Sequence, residues 1–102
     1  VTVIPYIKPE TNHTYTIDFT LPNGILVETK GRWVLEDRKK HLLIQKQHPE
    51  LDIRLVFQNS KGKIRKGSKT TYADFCEKHN ITWADKSIPV KWYKEKTLKK
   101  RL

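Results

Sequence analysis

Two stretches rich in β-branched and aromatic residues, His13 to Thr20 and Ile25 to Lys30, are separated by Pro22-Asn23-Gly24, and this feature constrains the fold most. Proline fixes φ and donates no N–H, while glycine supplies a left-handed conformation, so the chain is expected to turn back on itself as a hairpin. With those three residues as the loop, Leu21 pairs with Ile25 and the ladder sets Asp18 opposite Glu28. The side-chain period of two puts Lys30 on the face of Glu28, and Val27 and Thr29 on the other. Any fold that accommodates the hairpin carries two carboxylates and an ammonium at one place.

The remaining elements follow from pattern. Val1 to Ile7 predicts a strand that Pro5 confines to an edge or a bulge, and Pro9 to Asn12 predicts a turn. Leu35 to His48, with Glu36 and Asp37 early and Lys46 and His48 late, predicts a helix stopped by Pro49. Leu35, Leu42, Leu43 and Ile44 are its expected buried stripe, with Arg38, Lys39 and Lys40 in solvent. Ile53, Leu55 and Phe57 form a fourth strand that follows a helix and is therefore expected parallel to the third. Asn59 to Lys69, with Lys61, Lys63, Arg65 and Lys66, is expected as an exposed basic loop or short hairpin able to touch a backbone phosphate. Thr71 to His79 predicts a second helix with a Thr71/Asp74 capping box and a face of Tyr72, Phe75, Cys76 and His79, closed by Asn80. Ile81, Trp83, Ile88, Trp92 and Tyr93 are expected to pack back on the core before a basic tail from Lys94. The class is α/β (α+β), a mixed sheet flanked by helices.

Its 102 residues suit one domain, 1–102. Lys and Arg number 21 against 11 acids, a net charge of +10 spread along the chain, which points to a polyanionic partner. Cys76 is the single cysteine, which excludes an internal disulfide and suits a reducing compartment such as the cytoplasm. No apolar run approaches the roughly 20 residues of a membrane span. The chain begins at Val1 and has no methionine, so an N-terminal segment is expected ahead of it.

Phosphodiester hydrolysis uses a divalent ion to polarise phosphoryl oxygens and to activate water, and hard ions such as magnesium take oxygen ligands. Asp18 and Glu28 would supply them, and Lys30 would bind the nucleophilic water or neutralise charge on the phosphate. The plain alternative is a surface ion-pair ladder. Arg32, Arg38, Lys39 and Lys40 could hold phosphates near the scissile bond, or be a solvated helix face. His13 and His41 could contact phosphate or act as bases, or be structural; His48 and His79 carry less of a case. Cys76 and His79 have a zinc-like spacing without the further ligands zinc needs, and are expected to pack. Among the tryptophans, Trp33 is the candidate for base stacking, whereas Trp83 and Trp92 are expected in the core.

The segments Asn12-His13-Thr14-Tyr15-Thr16, Leu21-Pro22-Asn23-Gly24-Ile25, Val27-Glu28-Thr29-Lys30-Gly31 and Asp37-Arg38-Lys39-Lys40-His41-Leu42-Leu43-Ile44 closely resemble the endonuclease I family of T-seven-like phages. The resemblance continues through Gln47-His48-Pro49-Glu50-Leu51-Asp52-Ile53-Arg54 and Phe75-Cys76-Glu77-Lys78-His79 to Ala84-Asp85-Lys86. It implies a restriction-endonuclease-like core of the PD-(D/E)xK superfamily and a homodimer that resolves branched DNA such as four-way junctions. It further implies magnesium or manganese, one or two ions, held by Asp18, Glu28 and the carbonyl of Thr29, with Lys30 catalytic. Ile17 stands where the superfamily pattern has proline, which contributes shape and no ligand atom. The family also has a catalytic glutamate on an N-terminal helix, in a segment exchanged between subunits. Glu10 does not match that position, and the helix is expected to lie ahead of this chain. Other functions considered are a catalytically incomplete DNA-binding unit of the same fold, a homing or transposition-type nuclease, and a basic RNA-binding protein.

Overall fold

The computed structural model describes residues 2–8 and 11–95. The expected basic tail beyond Glu95 and the Pro9-Glu10 part of the expected turn lie outside them. In chain order the elements are β1 (Thr2–Lys8), β2 (Thr11–Ile17), β3 (Phe19–Thr20), β4 (Leu26–Lys30), α1 (Leu35–Gln47), β5 (Ile53–Phe57), α2 (Tyr72–Lys78), β6 (Trp83–Asp85) and α3 (Val90–Lys94). They form a two-stranded antiparallel sheet, β1-β2, and a four-stranded mixed sheet in the order β3-β4-β5-β6.

The hairpin forms in the expected register. Phe19 pairs with Val27 and Thr20 with Leu26, Leu21 N–H donates to the Ile25 carbonyl at 2.8 Å, and Gly24 takes φ 91°. Asn23 fixes the turn from outside, donating from Nδ2 to the carbonyls of Trp92 and Glu95 at 2.7 Å each. The expected single strand over 13–20, however, is two strands in two sheets, broken by a bend at Asp18. Residues before the bend pair with β1 and those after it with β4, so the backbone must change direction there.

β4 and β5 are parallel, with Glu28 beside Leu55 and Lys30 beside Phe57, and β5 and β6 are parallel in turn. This register sends Leu26, Glu28, Lys30, Leu55 and Phe57 to one face, and Val27 and Val56 to the other. The first face packs on α1 and α2: Leu26 joins Ile4, Tyr6, Tyr15, Ile17, Ile44 and Leu51, while Leu55 and Phe57 join Trp33, Cys76 and Ile81. On the opposite face Val27 and Val56 meet Leu21, Ile25 and Trp92. A sheet buried on both faces explains the nearly continuous apolar run of β5.

Two short elements were not foreseen, β6 and α3. Three residues and five residues are too short for periodicity to declare, and both depend on tertiary partners. Arg54, buried in β5, binds Asp52 and Glu95 through paired hydrogen bonds of 2.7–3.0 Å and lies over the Trp92 ring at 5.1 Å. This contact ties the end of α3 to the start of β5. The capping box of α2 forms as expected between Thr71 and Asp74, and Asn80 closes that helix at φ 57°.

The buried stripe of α1 differs from expectation. Arg38, His41 and Ile44 are its buried residues, while Leu35 is 53% exposed. Trp33 is completely buried against Phe57, Tyr72, Phe75 and His41, so it is core and presents no ring for stacking on a base. At the other end of α1, Gln47 exchanges two hydrogen bonds with the Ile7 backbone, at 2.7 and 2.6 Å. Its amide thus occupies part of the open edge of β1, the strand that Pro5 restricts to an edge.

These differences have a measurable consequence. Leu55→Ala should cost about 2–5 kcal/mol in chemical denaturation followed by tryptophan fluorescence. Leu35→Ala should stay within about 0.5 kcal/mol, and a large loss there would contradict the placement of α1.

Candidate active site

Asp18 sits where the chain leaves one sheet for the other, and its side chain replaces a ladder carbonyl. Asp18 Oδ2 accepts from both the backbone N–H and the hydroxyl of Thr29, each at 2.9 Å. Lys30 points its carbonyl toward β5, where Gln58 N–H donates to it at 3.0 Å. Backbone groups alternate along a strand, so the Thr29 carbonyl lies on the opposite edge, the edge its N–H shares with Asp18.

The continued ladder sets Glu28 across from Asp18, and their environments differ. Asp18 is exposed; Glu28 is 7% exposed, and its Oε2 is buried without a partner. Burial first, then the contact with Asp18, pushes the Glu28 carboxyl up to about 8 against the pull of Lys30 and Lys40. Asp18 is held below the ordinary carboxylate range by hydrogen bonding with Glu28, then with Thr29. At neutral pH the pair therefore shares one proton and one negative charge. Lys30, at the end of β4, follows on the Glu28 face and is half-buried.

Tyr15 escaped the sequence reading. It is buried in β2, its hydroxyl has no hydrogen-bond partner, and burial followed by the negative fields of Glu28, Asp37 and Asp18 pushes it well above the ordinary phenol range. Lys40 Nζ lies over its ring at 5.8 Å. The available signal was the alternation Tyr15-Ile17 leading into Asp18, but that parity becomes informative only once β2 is known to pack across β4.

The basic residues divide. Arg32 and Lys39 are exposed and Lys40 is half-buried, all on the connection after β4 or the first turns of α1. Arg38, expected in solvent, is 4% exposed, and its Nη1 donates to the carbonyls of Trp33 at 2.6 Å and Ile64 at 3.0 Å. His41 is 2% exposed, and burial, with Lys30 adding to it, pushes its pKa down to about 4. It is a neutral ring inside the protein, edge-on to Trp33. The His13 side chain lies outside the described part. His48 is engaged with the Pro5 carbonyl and Glu50. Cys76 and His79 pack rather than converge on a metal: Cys76 is buried and free, His79 lies against Phe75 at 4.4 Å, and no cluster of three or more His, Cys, Asp and Glu side chains suited to a metal occurs among the described residues.

The arrangement can accept a hard divalent cation. Its donors are oxygen atoms, one carboxylate is solvent-accessible, and the orphaned Glu28 Oε2 is a buried acceptor lacking the partner such an atom normally has. A separate cleft lined by His41, Gln45, Asp52, Arg54, Asn80 and Thr82 includes none of Asp18, Glu28 or Lys30.

The sequence profile described as phage endonuclease I matches residues 1–101. Over 92 residues, 90% of this chain, the sequence is 65% identical to "Endonuclease I" of Escherichia phage T7, of which it covers 62%. It is 64% identical over the same length to "Endodeoxyribonuclease 1" of Enterobacteria phage T3, of which it covers 60%. The chain thus spans about three-fifths of the length of these relatives.

A proton held on Glu28 makes folding pH-dependent. Its pKa is raised on folding, so the unfolded chain releases the proton first, and the stability this group contributes falls as pH rises from about 4.5 to about 8. Buried His41, held down to about 4, acts in the opposite sense between about pH 4 and 6.5. Thermal unfolding in metal-free buffer should therefore show Tm declining chiefly between about pH 6.5 and 8, and Glu28→Gln should remove most of that decline. Equal slopes for both proteins would contradict the shared-proton description.

Proposed function

Because this chain belongs to the phage endonuclease I family, we propose that it is the nuclease domain of an endodeoxyribonuclease that hydrolyses phosphodiester bonds in branched DNA, such as four-way junctions, with magnesium or manganese. The observation that carries this reading is the meeting of Asp18 and Glu28 across the hairpin, with Glu28 Oε2 unpartnered, in a chain of net charge +10. Asp18, Glu28 and the Thr29 carbonyl would hold one or two ions. Bound there, the metal would supply Lewis-acid polarisation of the phosphoryl group and a water of lowered pKa.

The chain's own residues do the rest. Thr29 locks the Asp18 carboxylate through two hydrogen bonds to one of its oxygens. Glu28 gives up its proton as it takes up a cation, so affinity for the ion rises with pH. The Lys30 ammonium, on the Glu28 face, orients the attacking water and offsets charge developing on the phosphate. Arg32, Lys39 and Lys40 hold flanking phosphates, contacts that position DNA without reading sequence. Arg38 and His41, both buried, support this surface from beneath. The functional unit is a homodimer, two such sites allowing paired cuts on opposed strands, and it acts in the host cytoplasm. Among the described residues no helix is long and apolar enough to cross a membrane.

With a synthetic four-way junction, Asp18→Asn should abolish magnesium-dependent cleavage while junction binding in calcium remains, and Lys30→Ala should slow cleavage by about 10²-fold or more. Unchanged cleavage by Asp18→Asn would sink the assignment, whereas DNA binding with no cleavage by the unaltered chain would favour a binding unit of the same fold.

A further inference from the structure

From Gln58 to Ala73 the chain contains five cations, Lys61, Lys63, Arg65, Lys66 and Lys69, and no acid. All five are exposed. The ion pairs among the described residues are His48–Glu50, Arg54–Asp52 and Arg54–Glu95, and none involves this loop. Asp74 and Asp85, whose fields reach Lys63 and Lys61, spend their carboxylates on Thr71 and Ser60. A block of like charge on a surface loop ordinarily repels itself into disorder. Here the backbone is held throughout.

Ile64 N–H donates to Thr70, Ser68 to Arg65, Tyr72 to Gly62 and Ala73 to Ser60, at 2.9–3.1 Å, and Lys63 bridges Thr71. The tip is a turn from Arg65 to Ser68 in which Gly67 takes φ 81°, a conformation that favours glycine. At Gly62 a side chain would come within 2.9 Å of the Tyr72 ring, so the root of the loop lies flat on α2. The buried Arg38 then pins Ile64 to the segment that follows β4 through its bonds to the Ile64 and Trp33 carbonyls. The loop begins at Asn59, one residue after Gln58, which follows β5 and whose N–H is bonded to the Lys30 carbonyl. It therefore starts from the carboxyl ends of β4 and β5, and Arg38 ties it to Trp33, the residue after Arg32.

We propose that this loop is a preformed clamp for the phosphate backbone of the duplex that flanks the cleaved bond. The proposal rests on the nuclease reading above and extends it to residues outside the site. A backbone already ordered loses little further entropy on binding, and each phosphate neutralised releases condensed counterions. The clamp grips any sequence, because its contacts go to phosphates.

The test is the salt dependence of DNA binding by the full chain, in calcium, to a four-way junction and to a linear duplex of the same sequence. Lys63→Gln/Arg65→Gln/Lys66→Gln should make the slope of log K against log salt shallower by about 2–3, roughly 0.9 per lost phosphate contact. Lys46→Gln/Lys78→Gln, on the far ends of α1 and α2, should leave the slope unchanged, which separates a local clamp from net charge. A triple variant with the slope of the unaltered chain overturns the clamp, and cleavage of the junction in magnesium, measured in parallel, reports separately on the nuclease reading. A chain that cuts while the triple variant keeps its slope refutes the loop alone; a chain that never cuts yet loses slope in the triple variant refutes the nuclease alone.

Discussion

The hydrogen bonds from Thr29 to Asp18 are the constraint on which the rest of the arrangement depends. The chain must bend at Asp18 to leave the β1-β2 sheet and enter the four-stranded one, and a bend interrupts the backbone ladder. A backbone N–H shielded from water and left without an acceptor is costly. The Asp18 carboxylate fills that role for Thr29, so the residue that allows the bend is also held in place next to Glu28. Structure and site share one interaction.

The unusual protonation of the site follows from this geometry. Two carboxyl groups paired across a hairpin, one exposed and one buried, do not both carry charge at neutral pH without a bound cation. Burial assigns the proton to Glu28 and the negative charge to Asp18. Lys30 and Lys40 act in the opposite direction but do not cancel the cost of desolvation. Glu28 shares a sheet face with the buried Leu26 and Leu55, so the packing of that face sets the acidity of the site.

Helix α1 shows how polar residues can replace an apolar stripe. Arg38 satisfies two carbonyls, one after β4 and one in the basic loop, and its removal would leave both without that donor. His41 is accommodated as a neutral ring against Trp33. Together they join the candidate site, the aromatic cluster under α2 and the loop from Asn59 to Lys69 into one unit, although the sequence of the helix looks like a solvated face.

Local chemistry made the hairpin legible: proline, asparagine and glycine between β-forming runs fix a turn, a fixed turn fixes the register, and the register sets Asp18 against Glu28 and aligns Lys30. The limits of α1 to within a residue and the capping box of α2 were legible for similar reasons, because each depends on residues close in sequence, and the parallel pairing of β5 was legible because a helix between two strands returns the chain in the same direction. The split of the second strand at Asp18, the burial of Arg38 and His41, the enclosure of Trp33, the unpartnered Tyr15 hydroxyl, and the elements β6 and α3 were decided only by the tertiary structure. Their cause is contact between residues 20 to 70 positions apart, such as Asn23 with Trp92, Arg38 with Ile64 and Arg54 with Glu95. Sequence determines which side chains can meet along one element. Which polar groups find partners, and which charges lose water, is settled by the faces that pack together.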